Sequence, residues 1–454
     1  MRKIIQYMMM ALIAVVLASC ANDISEESTP TVKSNIRFVV DDFPMFEKPS
    51  TRTIGEEDKG KTAWAVGDEI CVKLESKELG TQTATLKYNG VKFEIQDGNS
   101  LCYLDGEPVT AYAYYAPNRR WRNGSLDFKD IYGNPNGTAE FLEATCTVHY
   151  GDNNYVDISF ANATRNYSRL RIATIPKTEI KVDADNFAPT DNPNRLYMTY
   201  TLTSDEKGNA YLYGTFYNNS IVTVKYRGAT LKTYKFSKET ENAKSYALDA
   251  TVISANSAEE IYSAIKQEIA DGKTAIRLNL ASDAGDNEFN AIREAFENVK
   301  SGTIDLTLIG CKEIPVNGLY RIMALKSITL PDVTKIRMDA LSYCLYLQEI
   351  CAPNVSAIDE YAFGKCCYLR KVTLGKLTDV RGEANSRSGI FDDINDLYPD
   401  IDLYLPKNQE VMEFDENSKQ YIWKPTGESY FASPDYYGNG IFLGYQFHSV
   451  KSWE

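Results

Sequence analysis

Hydrophobic and polar positions alternate in short runs through the first half of the chain. In the second half they recur with one long period. Between residues 34 and 250 the runs read as strands, beginning at 36–40 and 69–74. The runs 83–88 and 91–95 alternate on either side of Asn89-Gly90, a dipeptide suited to a hairpin. Further strands are expected at 110–115, 145–150, 155–160, 170–175, 196–203, 210–216, 221–226 and 231–236, with Gly208-Asn209 as another hairpin turn. No helical period of useful length interrupts them. Many short strands with frequent turns predict an all-β sandwich for 34–250.

The region 255–454 opens differently. Ser257 followed by Glu260 forms a capping box, Ile261, Ile265 and Ile269 form a stripe, and Gly272 is a stop signal. A strand at 275–280 precedes a second amphipathic helix carrying Phe289, Ile292, Phe296 and Val299. A period of 22 residues then takes over, with Leu325, Leu347 and Leu369 starting successive units. Leu306, Ile328, Ile350 and Val372 share a second row, and Leu308, Leu330, Ala352 and Leu374 a third. Cys311, Val333, Val355 and Leu377 form the next row, followed by Ile314, Ile336, Ile358 and Val380. Leu319, Leu341 and Phe363, then Ile322, Cys344 and Cys366, complete the set.

Such a period with L-x-x-L-x-L spacing predicts a leucine-rich-repeat α/β solenoid, in which stacking covers the apolar face that each unit leaves open. The fourth unit breaks near Arg381, and Phe391 aligns with Phe363 only after an insertion. The aromatic tail through Trp423, Phe431, Tyr436, Tyr437 and Trp453 is expected to cap the stack.

Alternation along the repeat strands puts Ile328 and Leu330 inside and Ser327 and Thr329 outside. The same rule turns Arg277, Asn279, Asp305, Thr307, Glu349, Cys351, Lys371, Thr373, Asp402 and Tyr404 outward. This ladder is the candidate partner-binding face. The alternative is a solvated sheet face with threonines paired across strands.

The first 19 residues read as a signal peptide, with Arg2 and Lys3 before a short apolar stretch from Met8 to Leu17. Leu17-Ala18-Ser19-Cys20 resembles the bacterial lipobox. The resemblance implies cleavage before Cys20 and lipidation of its thiol, and two acyl chains suffice for stable anchoring. Residues 20–33 are polar and acidic and read as a flexible tether. With Asp23, Glu26 and Glu27 they resemble the surface-export signals of Bacteroidetes lipoproteins, which implies an outer-membrane protein displayed at the cell surface.

Two further resemblances follow. Thr51-Arg52-Thr53, Trp64-Ala-Val-Gly-Asp-Glu-Ile70, Ala111-Tyr-Ala-Tyr-Tyr-Ala-Pro117, Ile158-Ser-Phe-Ala-Asn-Ala163 and Leu170-Arg-Ile172 are similar to the fimbrillin-like (Mfa-like) family, although Asn162 stands where that family typically has histidine. The resemblance implies a transthyretin-like sandwich. It also makes Arg52 a possible processing site that frees a groove for a neighbour's strand. A solvated loop charge is the other reading of Arg52. The segment Ala362-Phe-Gly-Lys-Cys-Cys-Tyr-Leu369, with Leu325-x-x-Ile328-x-Leu330-Pro331, resembles the BspA-like repeat class over about 303–406.

The 454 residues fit two or three domains at roughly 150 residues each. The net charge of −13 opposes a nucleic-acid footprint. Two histidines, His149 and His448, stand in different halves, which leaves a histidine triad or zinc site without partners. No P-loop, Rossmann or serine-hydrolase motif occurs, and no cofactor is expected. Nine cysteines lack C-x-x-C spacing. Cys311, Cys344 and Cys366 fall in core rows as free thiols, a disulfide between coils being the alternative. Asp392, Asp393 and Asp396 lack EF-hand spacing and read as a solvated loop.

The leading expectation is a non-enzymatic surface lipoprotein for adhesion or ligand binding, with an extracellular protein or glycan as partner. The second is a fimbrial accessory or tip subunit, cleaved near Arg52 and joined to fimbrial subunits by strand exchange. A glycan-processing enzyme ranks third, because no marker distinguishes a catalytic carboxylate pair.

Overall fold

The computed structural model describes residues 32–33, 36–47, 60–96, 101–104, 107–117, 119–127, 135–151, 154–160, 165–190, 196–380, 389–391, 401–415, 420–425, 441–442 and 445–453. Cys20, Arg52, the signal segment, the insertion from Arg381, the Asp392–Asp393–Asp396 cluster and Phe431, Tyr436 and Tyr437 lie outside the described residues. The tether expected through Lys33 ends earlier, because Val32–Lys33 pairs antiparallel with Tyr103–Leu104.

The expected single sandwich resolves into two sheets with separate cores. The first sheet contains β1 (Arg37–Val40), β2 (Glu69–Ser76), β3 (Gly80–Tyr88), β4 (Phe93–Ile95), β5 (Val109–Tyr115), β6 (Leu142–His149) and β7 (Tyr155–Ser159). They are ordered β1-β7-β6-β5-β2-β3-β4. The edge strands β1 and β4 approach each other, so the sheet curls around Ile70, Val72, Leu74, Tyr103 and Phe160. Asn89-Gly90 does turn the chain. Because Tyr88 pairs with Phe93, however, the loop is longer than two residues, and the Asn89 side chain accepts from the amides of Val91 and Lys92.

The second sheet contains β8 (Ser168–Ala173), β9 (Glu179–Pro189), β10 (Tyr197–Thr203), β11 (Asn209–Tyr226), β12 (Ala229–Lys235) and β13 (Ser245–Asp249). Its order is β10-β9-β11-β8-β13, with β12 also on β11. Two expected strands, 210–216 and 221–226, are one long strand. It turns a corner at Asn219, whose φ is +66°, opposite a bulge between Asp185 and Phe187 in β9. Gly208-Asn209 makes a turn but no hairpin, because β9 lies between β10 and β11. Local turn chemistry reads the bend and is blind to the strand that fills the gap.

The last region runs β14 (Ile253–Ser254), α1 (Ala258–Ala270), β15 (Ala275–Asn279), α2 (Asp286–Ala295) and β16 (Ile304–Ile309). It continues with β17 (Leu325–Thr329), β18 (Glu349–Ala352), β19 (Lys371–Leu374), β20 (Asp402–Leu405) and β21 (Ser449–Ser452). These eight strands form one parallel sheet in chain order. The two-residue strands Glu313–Ile314, Lys335–Ile336, Ala357–Ile358 and Asp379–Val380 form a second parallel ladder. Ser257 caps α1 through the amide of Glu260, and Ile261 and Ile265 are buried. α2 ends at Ala295, so Phe296 and Val299 belong to its C-terminal turn.

The expected α component is confined to these two helices. From β16 to the end of the described residues the coils return through turns. Tyr343, Tyr361 and Lys365 lie in the left-handed region there, with φ of +61°, +57° and +57°. The repeated rows are buried together, with Ile328, Ile350, Val372, Leu341 and Phe363 all at 0% exposure, while Val380 is only partly covered.

Candidate binding face of the parallel sheet

The 22-residue register places the outward side chains in two straight rows. One runs Asp305, Ser327, Glu349, Lys371, Asp402 and Ser449. The other runs Arg277, Thr307, Thr329, Cys351, Thr373, Tyr404 and Lys451. Parallel pairing without stagger stacks each side chain on its counterpart one coil away.

The first row satisfies its own charges. Ser327 donates to Asp305 at 2.6 Å, and Lys371 to Glu349 at 2.6 Å. Asp402 meets His448 at 3.0 Å and Lys451 at 3.2 Å, and accepts from the Ser449 hydroxyl. Burial opposes ionisation of Asp402, but these donors prevail and lower its pKa. Burial also works against the Lys371 ammonium, and the Glu349 carboxylate prevails and raises its pKa.

The second row is short and weakly polar. Thr307 and Thr373, expected on the open face, are buried at 7% and 9% exposure. Thr307 lies in register between Arg277 and Thr329, and Thr373 between Cys351 and Tyr404. Ser327, Thr329, Glu349, Cys351, Lys371, Asp402 and Tyr404 are half-buried. Burial pushes the Cys351 thiol up to about 11, so it stays protonated and poorly nucleophilic at neutral pH. At the far end the Tyr404 ring has the Lys371 and Lys451 ammonium groups each 5.7 Å from its centroid. The face therefore presents half-buried Thr329 and Cys351 along its middle and ends at a tyrosine flanked by cations.

One member of the predicted ladder, Arg277, serves the junction with the second sheet. Arg277 Nε donates to the Leu231 carbonyl of β12 at 3.0 Å. Asn279 sits half-buried at Gly310, where an added Cβ would meet its Oδ1 at 2.7 Å. The Arg227-Gly228 turn between β11 and β12 reaches the solenoid nearby. Arg227 pairs with buried Asp332 at 2.8 Å, and Asn354 donates to the Arg227 carbonyl at 3.0 Å. Asp332 also accepts from the Gly310 amide at 2.9 Å, and Ile309 joins the sandwich core. Sequence reading missed Arg227, Asp332 and Lys451. Lys451 alone carried a signal, since it alternates with Val450 in the last strand.

The stack is closed by its own tail. Gln409 is buried and pairs with both backbone groups of Leu377, at 2.7 and 3.1 Å. Tyr445 and Phe447 pack on Phe391, and Trp453 donates to the Leu374 carbonyl at 2.9 Å. The eight described cysteines are free, with Cys311, Cys344 and Cys366 buried. Among the described residues no group of three or more His, Cys, Asp or Glu could hold a metal ion, and no helix is long and apolar enough to cross a membrane.

Residues 290–390 match six copies of the BspA type leucine rich repeat region. No curated protein matches the chain. Among solved structures, a candidate cell adhesion protein from Bacteroides fragilis is 11% identical, with a TM-score of 0.23, over 48% of this chain and 93% of its own. A shaft pilin from Lactobacillus rhamnosus GG is 11% identical, with a TM-score of 0.19, over 49% of this chain and 97% of its own.

Proposed function

We propose that the protein is a cell-surface adhesion protein that binds an extracellular protein or glycan across the outward rows of its parallel sheet. The observation that carries this reading is the agreement between the BspA type repeat match over 290–390 and the stacked coils that present those rows in register. Stacked coils fix the spacing of Thr329, Cys351 and Tyr404, and such preorganisation lowers the cost of binding. The fimbrillin-like half serves as the stalk, and Cys20 is the lipid anchor to the outer membrane.

The test is a glycan and matrix-protein array probed with the full chain, followed by Tyr404→Ala and Thr329→Arg. The first removes the cation-flanked ring, and the second puts a bulky cation in the middle of the outward row. Loss of at least about tenfold in affinity for the same ligand in both variants is expected. Undiminished binding by both removes the sheet-face assignment, and no ligand on any array removes the adhesive one. Labelling with a fatty-acid probe, absent in Cys20→Ala, tests the anchor. Protease shaving of intact cells tests outward display.

A further inference from the structure

We propose that the cleft between the second sandwich and the start of the solenoid binds an acidic oligosaccharide, its carboxylate or sulfate held by Arg277 and Lys232. The cleft has a volume of about 740 Å³ and lies where β8, β12 and β13 face α1 and β15. That is far more than one inorganic ion fills and falls within the usual range of small-molecule sites, about 300–1,000 Å³. Its charged lining consists of Arg171, Lys232, Asp249, Glu268, Lys273 and Arg277. Four cations therefore face two carboxylates, in a protein whose overall charge is −13. A concave site with an excess of cations, within a chain of net negative charge, selects its ligand by charge.

The two cations named have capacity to spare. Arg277 spends Nε on the Leu231 carbonyl, which orients the guanidinium and leaves its other two nitrogens for a planar anion. Lys232 lines the same cleft with no hydrogen bond or ion pair among the described residues. Lys273, by contrast, is engaged by Glu268 at 2.7 Å. The remaining groups favour a hydroxyl-rich ligand such as a sugar over one that presents apolar side chains. The apolar share of the lining is small: Ala173, Ala247, Leu248, Ile253 and Ala275. Asp249, Glu268, Thr251 and Thr274 instead offer acceptors and hydroxyls to a ligand rich in hydroxyl groups. Both walls are fixed, because the Arg227–Asp332 pair and buried Ile309 tie the sandwich to the solenoid.

The cleft shares Arg277 with the outward row but lies five strands from Tyr404 along the sheet, so substitutions at Tyr404 and Lys232 test the two sites independently. The experiment is calorimetric titration of the full chain with three trisaccharides of equal length: a galacturonate, a sulfated and a neutral one. At least one charged sugar is expected to bind at least about tenfold more tightly than the neutral one, and to weaken as salt rises. Lys232→Gln, which breaks no side-chain hydrogen bond or ion pair among the described residues, and Arg277→Gln are each expected to lower that affinity about tenfold. Tyr404→Ala is expected to leave it unchanged. The two charged arms distinguish a uronate from a sulfated ligand. Failure of both to bind, equal binding of the neutral sugar, or indifference to Lys232→Gln in a protein of unchanged melting temperature would overturn the proposal.

Discussion

The sandwich half and the solenoid half bury comparable apolar rows by opposite means. In the solenoid each coil pairs with the next, so Ile328, Ile350 and Val372 meet through neighbours 22 residues apart. In the sandwich half, adjacent-strand pairs are closed into sheets by long-range pairings: β1 lies parallel to β7, and β8 parallel to β13. One half can be extended or damaged coil by coil, whereas the other closes only when distant segments arrive together.

The largest expected effect therefore falls in the first sandwich. Arg165 has a fully buried side chain that pairs with Glu140, donates to the Pro44 carbonyl at 3.0 Å and lies 3.8 Å over the Phe46 ring. It ties together three stretches that are remote in sequence. Arg165→Met leaves Glu140 buried without its cation and is expected to cost about 4 kcal/mol, with the whole sheet lost in one step on a denaturant curve. Adding Glu140→Leu is expected to recover most of that loss. A single variant that melts only locally would erase the contrast between the halves.

Next in size is Ile350→Ala in the middle coil, expected to cost about 3 kcal/mol. Its signature is spatial. Hydrogen exchange should accelerate in β17, β18 and β19 and stay unchanged in β1 to β7. Uniform acceleration across both halves would mean that the solenoid is no more local than the sandwiches.

The same contrast explains what could be read in the sequence. All seven repeat rows were legible, because the stacking contact lies at the period itself. The strand positions of the sandwich half were legible where alternation was clean. β9 went unread despite Ile180, Val182 and Ala184, because Lys181, Asp183 and Asp185 between them look like loop composition. The partner of each strand was not legible, which is why Gly208-Asn209 read as a hairpin. In the candidate face, alternation separated Ser327, Thr329, Glu349 and Cys351 from the fully buried rows but could not assign burial. Thr307 and Thr373, expected outside, are buried, and Arg277 is oriented by a carbonyl from the other half of the chain.

A third variant asks whether the halves act as one body. Asp332 is 2% exposed and gathers Arg227 at 2.8 Å, Lys312 at 3.7 Å and the Gly310 amide. Asp332→Ala leaves that amide and the Arg227 guanidinium without their acceptor, at a cost of about 2 kcal/mol. The sandwich and solenoid transitions are expected to separate in a thermal scan. A single undivided transition at lower temperature would place the coupling in the apolar packing around Ile309 instead.

The smallest effect sharpens the comparison at the solenoid's far end, where the coils are closed by a tail rather than by another coil. Asp402 holds Ser449 and Lys451 on β21 and His448 just before it, and these donors lower its pKa below the ordinary 3.8 despite the opposing effect of burial. A carboxylate whose folded pKa is depressed adds stability that is present above the unfolded value and is lost as pH falls through the folded one. The tail should therefore loosen only below about pH 3.8, by less than about 1 kcal/mol, because the site is partly open to solvent. Fluorescence of Trp453, whose indole bonds the Leu374 carbonyl, reports that docking in a variant whose other three tryptophans are replaced by phenylalanine. Asp402→Asn should flatten the acid limb of the profile while leaving neutral-pH docking nearly intact, since an amide still offers Ser449 and Lys451 an acceptor. An acid limb that persists in Asp402→Asn would mean that the closure depends on other carboxylates, and that the tail is held by packing of Tyr445 and Phe447 on Phe391 rather than by this charge cluster.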